Sequence, residues 1–208
     1  MAYTDNGKLR VVYGDYVLGV HGKGFDYTFS YAQGGLESIV KNGYEWLYRC
    51  PKPTFWRALT DNDRGSKFHI KSGSWMAADT FIDCQNVEVI MDGEMQKQYA
   101  PDNNIYEGDV SADEIIVKFT YKTISNPSAT VLVSYTVTGN GKIRVDVEYH
   151  GVKGLPELPV FGMRFIMPTL ADSYMYEGLS GETYPDRKAG AVKAVSYTHL
   201  RAHETCAD

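Results

Sequence analysis

The densest group of chemically active side chains lies in one segment, which reads Pro53-Thr54-Phe55-Trp56-Arg57-Ala58-Leu59-Thr60-Asp61-Asn62-Asp63-Arg64-Gly65. If this segment is extended, Asp61 and Asp63 share one face at a separation of about 7 Å. Glycoside hydrolysis uses two carboxyl groups, about 5–5.5 Å apart in retaining enzymes and about 6.5–9.5 Å apart in inverting ones. The spacing therefore permits a catalytic carboxylate pair. The alternative is a polar turn in which Arg57 pairs with an aspartate.

A second group of polar and aromatic side chains follows later in the chain. It reads Tyr174-Met175-Tyr176-Glu177-Gly178-Leu179-Ser180-Gly181-Glu182-Thr183-Tyr184-Pro185-Asp186-Arg187. Tyrosine rings stack on the C–H faces of sugars, and charged groups bind sugar hydroxyls. Candidate carbohydrate or interface contacts are therefore Glu177, Glu182, Tyr184, Asp186 and Arg187. The alternative is that Asp186 and Arg187 only hold two strands in register.

Metal and nucleotide chemistry have little support in the sequence. His21, His69 and His150 do not have the spacing of metal ligands, so we predict no metal site in this chain. The glycine-rich stretch Gly19–Gly24 is neither a phosphate-binding loop nor a dinucleotide fingerprint. We therefore predict no cofactor in this chain.

The elements that must position these groups are strands. Apolar and polar residues alternate at Phe25–Tyr31, Val117–Thr123, Val131–Val137 and Ile143–Tyr149. Asn42-Gly43 and Asn140-Gly141 are typical of tight hairpin turns, and Asp92-Gly93 marks another turn. The exception is Ser72–Asp79, which predicts a short helix with a serine N-cap. The predicted fold class is all-β, an antiparallel sandwich.

Composition excludes several classes of protein. The 208 residues carry a net charge of −5, without the basic patch that nucleic acid or an anionic membrane surface requires. No apolar run approaches the roughly 20 residues of a transmembrane helix, and the N-terminus does not resemble a signal peptide. Three cysteines without CxxC spacing fit a reducing cytoplasm.

The last fourteen residues lose the alternating pattern. Ser196–Thr205 resembles the translation of a transposase-type sequencing adapter. We therefore expect residues 195–208 to be a non-native read-through tail, and residues 1–194 to be the front portion of a longer protein. The alternative is a genuine tail without a pattern.

The two motifs together resemble the C-terminal domain of glycoside hydrolase family 2 β-galactosidases. The first matches F-x-R-A-x-x-D-N-D-x-G from Phe55 to Gly65, and the second matches G-L-x-x-x-E-x-Y-P-D-R from Gly178 onwards. The start of the chain is similar to the small subunit of two-chain β-galactosidases. That similarity is carried by Tyr13–Asp15, Gly34–Ser38, Glu45–Arg49 and Trp75–Asp79. It covers residues 1 to about 194, roughly the first two-thirds of such a subunit.

This resemblance implies a galactose-mutarotase-like β-supersandwich. It implies a complex that hydrolyses terminal β-D-galactosides such as lactose with retention. The catalytic glutamates and the Mg²⁺ and Na⁺ ligands would lie on a large-subunit partner, so no catalytic residue is assigned here. It also implies that Arg57, Asp61, Asn62, Asp63, Arg64 and Gly65 lie in a loop next to the active site, and that the segment after Asp61-Asn62-Asp63 is the mobile loop near the substrate pocket. Gly65 would suit a hinge in that loop.

Two alternatives to a small subunit remain. The first is an autonomous β-sandwich that binds galactosides or other carbohydrates without a hydrolase partner. The second is a fragment of a single-chain β-galactosidase. Galactose binding by the isolated chain, without association with a large subunit, would favour the first, and a reading frame continuous upstream of Met1 would show the second.

Overall fold

A computed structural model describes residues 7–97, 110–180 and 192–199. These residues are mostly strands, and every strand pair among them is antiparallel. The all-β antiparallel fold class predicted from the sequence is confirmed. The chain divides into two compact units, with the boundary between Pro168 and Thr169.

The strands are, in chain order, β1 Leu9–Tyr13, β2 Val17–Gly22, β3 Phe25–Ser30, β4 Gly35–Lys41, β5 Tyr44–Glu45, β6 Arg49–Thr54, β7 Asp83–Met91, β8 Glu94–Gln96, β9 Val110–Ala112, β10 Glu114–Lys122, β11 Thr130–Thr138, β12 Ile143–His150, β13 Gly162–Ile166, β14 Ser173–Ser180 and β15 Val192–His199. The helical elements are α1 Asp61–Gly65, α2 Phe68–Lys71 and a 3₁₀ turn at Gly73–Trp75. Among the described residues, no helix has the length and apolar character needed to cross a lipid bilayer.

Six strands form the first sheet, in the order β5-β4-β3-β2-β1-β9. Phe25, Tyr27 and Phe29 lie on one face of β3, and all three are buried, as their alternation predicts. Asn42 and Gly43 turn β4 into β5 with φ angles of +52° and +76°. Both angles lie in the left-handed region that such a tight turn requires, so the predicted hairpin is confirmed.

Five strands form the second sheet, in the order β12-β11-β10-β7-β8. Its inward-facing row on β11 is fully buried and consists of Val131, Val133, Tyr135 and Val137. The predicted hairpin at Asn140-Gly141 joins β11 to β12, with Gly141 at φ +74°. A turn at Asp92-Gly93, also predicted, joins β7 to β8.

The core of the first unit lies between these two sheets. The ring of Phe29 from the first sheet lies 6.4 Å from that of Phe119 and 5.7 Å from that of Tyr135 in the second. Burying one phenylalanine side chain contributes about 1.5–3 kcal/mol. The Tyr27 hydroxyl donates a hydrogen bond to the Gly141 carbonyl at 2.7 Å, which ties the first sheet to a turn of the second. This arrangement is the predicted sandwich.

A third, two-stranded sheet positions the candidate segment. Its strands β6 and β13 pair with Gly162 opposite Thr54, so the chain leaves this sheet at Phe55 and enters the helical excursion. The excursion contains α1, α2 and the 3₁₀ turn, and it ends before β7.

The second unit contains the hairpin of β14 and β15, in which Glu177 lies opposite Val195. The predicted read-through tail starts inside β15, and its residues 200–208 lie outside the described part of the chain. The tail therefore stays a prediction.

Candidate functional site

Arg57 and Asp63 form an ion pair with two contacts. Nη1 of Arg57 lies 2.6 Å from Oδ2 of Asp63, and Nη2 lies 3.1 Å from Oδ1. The two side chains are only 27% and 14% exposed. Arg57 also donates to the main-chain carbonyls of Ala58 at 2.9 Å and Pro159 at 3.3 Å. The guanidinium therefore fixes the segment to a distant part of the chain.

The charge of Asp63 follows from these contacts. Hydrogen bonds from Arg57 hold the pKa of the Asp63 carboxyl far below its usual value, and the N–H of Thr60 lowers this pKa further. The same pair raises the pKa of Arg57. Asp63 is consequently ionised at any ordinary pH, and it has no proton to donate as a general acid. The alternative interpretation, an aspartate paired with Arg57, describes the arrangement in the structure.

The chain between Asp61 and Gly65 is helical, so the extended conformation on which the carboxylate spacing of about 7 Å depended does not occur. The Thr60 side chain accepts from the N–H of Asp63 at 3.2 Å, and the Asp63 carboxylate accepts from the N–H of Thr60 at 2.8 Å. This reciprocal capping box satisfies donors at the helix start and favours the helix over a strand. A threonine followed three residues later by an acidic residue is a signal that could have identified it.

The remaining residues of the candidate loop face solvent. Asp61, Asn62, Arg64 and Gly65 are exposed. Asp61 is 98% exposed and accepts a hydrogen bond from Nη1 of Arg64 at 2.7 Å. Surface pairs of this kind contribute little to stability. Asp61 and Asp63 thus have different partners and do not form a carboxylate pair.

The left-handed residue between α1 and α2 is Lys67, which has φ +56°, whereas Gly65 is the last residue of α1. Phe68, the first residue of α2, places its ring 5.9 Å from the guanidinium carbon of Arg57. His69 Nδ1 and Ser72 Oγ are buried, and neither has a hydrogen-bond partner in the described part of the protein. No sequence motif indicated that Phe68 would contact Arg57, or that these atoms of His69 and Ser72 would be buried.

The predicted helix over Ser72–Asp79 is wrong. Only Gly73–Trp75 forms a 3₁₀ turn, and Ala77 takes a positive φ of 62°, which is incompatible with a continuing right-handed helix. Ser72, the predicted N-cap, makes no capping hydrogen bond.

Buried aromatic rings anchor both ends of the excursion. Phe55 and Trp75 are fully buried, and their rings stack with centroids 5.5 Å apart. Tyr149 and Phe161 pack against them. The Trp75 indole N–H donates to the Pro156 carbonyl at 3.1 Å. The position of α1 is thereby set by the core, although α1 itself buries no residue.

The second predicted group is only partly within the described residues. Glu177 lies on β14, and its Oε1 is 2.5 Å from Nζ of Lys193 on β15. The rings of Tyr174 and Tyr176 stack with centroids 6.3 Å apart. Glu182, Tyr184, Asp186 and Arg187 lie outside the described residues, so their contacts stay predictions.

Metal ligation has no geometric basis within the described ranges. They contain no group of three or more His, Cys, Asp or Glu side chains arranged to hold a metal ion. His21 lies 2.6 Å from Asp26, and His150 lies 3.3 Å from Glu148, each in a separate surface contact.

Comparisons with known proteins agree on one family. The family model described as "Beta galactosidase small chain" matches residues 21–199. The "Beta-galactosidase small subunit" of Latilactobacillus sakei is 58% identical over 92% of this chain, which covers 60% of that protein. The "Beta-galactosidase" of Clostridium acetobutylicum is 37% identical over 91% of this chain, but this covers only 19% of its length. That of Halalkalibacterium halodurans is 35% identical over 89% of this chain and 17% of its own length.

The chain therefore spans about three-fifths of the small subunit that it matches, and less than a fifth of the longer proteins.

Proposed function

The chain belongs to the β-galactosidase small-chain family, and we propose that it acts as the small subunit of a two-chain β-galactosidase. The observation that carries this proposal is the 58% identity to a small subunit over almost the whole chain. The longer relatives named β-galactosidase contain four-fifths or more of their sequence outside the matched part. In a two-chain enzyme, a large subunit would supply that remainder.

The chemistry of the candidate site supports a non-catalytic role for this chain. A glycosidase needs one protonated and one ionised carboxyl group. Asp63 is locked in its ionised form by Arg57, and Asp61 lies in solvent instead of the apolar surroundings in which a general acid is found. We therefore assign both catalytic carboxyl groups to the large subunit, together with the Mg²⁺ and Na⁺ ligands.

The role that remains for α1 is to shape a pocket. The ion pair and the cap hold α1 in place from one side, and this leaves Asp61 and Asn62 exposed on the other. We propose that this exposed end borders the substrate pocket of the assembled enzyme, with terminal β-D-galactosides such as lactose as substrates and retention of configuration. The free, half-buried thiols of Cys50 and Cys84 support a reducing cytoplasm as its location.

Reconstitution tests this proposal. This chain, a cognate large subunit, and their mixture are each assayed for hydrolysis of nitrophenyl β-galactoside. We expect no hydrolysis by this chain alone, and activity in the mixture that exceeds that of the large subunit. Hydrolysis by this chain alone would overturn the non-catalytic assignment, and a mixture no more active than the large subunit would overturn the subunit assignment.

A row of exposed aromatic side chains supports a second candidate function, carbohydrate binding without a partner. Tyr44, Trp46 and Tyr48 are 42%, 46% and 73% exposed, and the Tyr44 and Trp46 rings lie 5.0 Å apart. The Glu45 carboxylate lies between Tyr44 and Trp46 in the sequence. It accepts hydrogen bonds from the N–H groups of Ile39 at 3.0 Å and Leu47 at 2.8 Å, which stabilise the backbone that carries these rings.

Galactose titrated into the isolated chain distinguishes this function by tryptophan fluorescence. Saturable binding that is lost in Trp46→Ala, together with no association with a large subunit, would favour the autonomous module over the subunit.

A further inference from the structure

A positively charged cleft lies where β6 begins and β13 ends. Its volume is about 230 Å³, and its lining includes Gln33, Arg49, Lys52, Asp79, Thr80 and Arg164. Arg49 and Ile166 are directly opposite each other in the β6–β13 ladder, and the register of this ladder shifts between Arg164 and Ile166, which both line the cleft.

Basic side chains outnumber acidic ones in this cleft. The single carboxylate, Asp79, lies 3.1 Å from Nη1 of Arg164, whose Nη2 donates to the Thr54 hydroxyl at 3.0 Å. Arg49 and Lys52 have no carboxylate partner within the described ranges. The lining thus holds three cations and one anion, and the Glu37 carboxylate, which acts electrostatically on Cys50 in the lining, offsets part of the remaining positive charge.

Neutral groups hold Lys52 in place. Its Nζ donates to the carbonyl of Gln33 at 2.5 Å and to that of Gly34 at 3.1 Å, and it lies 5.2 Å from the ring centroid of Tyr121. Burial lowers the pKa of Lys52, which shows that its charge is incompletely solvated. A cation fixed in this way loses little side-chain entropy when an anion arrives.

We propose that this cleft binds a small, doubly charged oxyanion such as inorganic phosphate. Cations outnumber anions in the lining, and a cleft with such an excess of one sign of charge attracts its counter-ion. The volume is smaller than the roughly 300–1,000 Å³ of sites for drug-sized ligands, so the occupant is a small ion. Donors from both β6 and β13 suit a tetrahedral anion with several oxygens better than a planar monocarboxylate.

Calorimetric titration of the full chain with inorganic phosphate tests the proposal. Ionic strength is held constant with sodium chloride, and sulfate and acetate are titrated in parallel. We expect saturable binding of phosphate and sulfate at one site per chain, with acetate at least tenfold weaker, because acetate has fewer oxygens to accept hydrogen bonds from the charged donors.

Substitutions locate the site. Arg49→Gln removes an exposed cation and should leave the fold intact while weakening phosphate binding by about tenfold. Lys52→Met tests the buried donor, with circular dichroism to confirm folding. Arg144→Gln is the matched control, because Arg144 pairs with Asp146 on the second sheet. Equal phosphate affinity in wild type and Arg49→Gln would overturn the proposal, and so would the absence of saturable phosphate binding over the sodium chloride background. Both outcomes are independent of whether the chain is a galactosidase subunit.

Discussion

Arg57 contacts both carboxylate oxygens of Asp63, and one of those oxygens also closes the N-terminal cap of α1. One carboxylate thus links the core-anchored part of the segment to its exposed helix. Within the described ranges, the exposed Asp61 and Asn62 have no comparable anchor to other parts of the protein, so their position depends on Arg57.

We expect Arg57→Gln and Asp63→Asn to loosen α1 without unfolding the sandwich. In the isolated chain, amide hydrogens of residues 61–66 should exchange faster, while those of β10 and β11 should not change. In the reconstituted enzyme, activity should fall about 10- to 100-fold, since small misplacements of pocket groups have effects of this size. Asp146→Asn, which breaks a surface pair on β12, is the control. Unchanged exchange in both variants would contradict the anchoring role.

Acid should release α1 in the wild-type protein. The pKa of Asp63 is depressed in the folded state, so its stabilising contribution is fully present above the unfolded pKa of about 3.9 and is lost as pH falls towards the lower folded value. We therefore expect faster exchange of the α1 amides only below about pH 4. Asp63→Asn should show fast exchange at neutral pH and no further acid step at these amides. An acid step of equal size in the variant would assign the effect to another group.

The sequence predicted those features of the structure that depend on interactions between residues close together in the chain. Asn42-Gly43 and Asn140-Gly141 predicted hairpins because a tight turn needs only its own residues. The burial of Phe25, Tyr27 and Phe29 also follows from alternation alone.

The candidate site was predicted less well, because its geometry depends on contacts between distant residues. Pro156 and Pro159, which bind Trp75 and Arg57, follow them by many positions, and no local spacing shows either contact. Ser72 has the residue type of an N-cap, but its hydroxyl is buried with no partner among the described residues, and Ala77 takes a positive φ that ends any right-handed helix. The Thr60–Asp63 cap was local, and its signal in the sequence was missed.

Removing the hydroxyl group from each of two buried tyrosines should change the free energy of unfolding in different ways. The Tyr121 hydroxyl donates to the Gly34 carbonyl, whereas the Tyr135 hydroxyl has no partner among the described residues. We expect Tyr121→Phe to lower the free energy of unfolding by about 1 kcal/mol, and Tyr135→Phe to leave it unchanged or raise it by up to about 1 kcal/mol. Urea denaturation at pH 7 measures both. Equal destabilisation by the two substitutions would mean that the Tyr135 hydroxyl is satisfied in solution.

The same two tyrosines predict sensitivity to alkali. Burial raises the pKa of each well above its ordinary value of about 10. A group whose pKa is raised on folding contributes stability below its unfolded pKa and loses it as pH rises further. The free energy of unfolding should therefore decline from about pH 10 upwards, and the decline should be shallower in Tyr135→Phe. An equally steep decline in that variant would show that other groups control alkaline unfolding.

Gly65→Ala tests whether α1 must move during turnover, because it should stabilise the helix without changing its position. A Cβ atom at Gly65 would meet no atom within 4 Å, and its φ is not in the left-handed region. Alanine is favoured over glycine within a helix by roughly 0.5–1 kcal/mol, so we expect α1 to exchange more slowly and the melting temperature not to fall. If the loop must move during turnover, kcat of the reconstituted enzyme should drop while the affinity between subunits is unchanged. Gly73→Ala, at a similarly open position in the 3₁₀ turn, is the control. An unchanged kcat in Gly65→Ala would show that Gly65 is not the hinge, and Lys67, which takes the left-handed conformation, would then be tested in the same way.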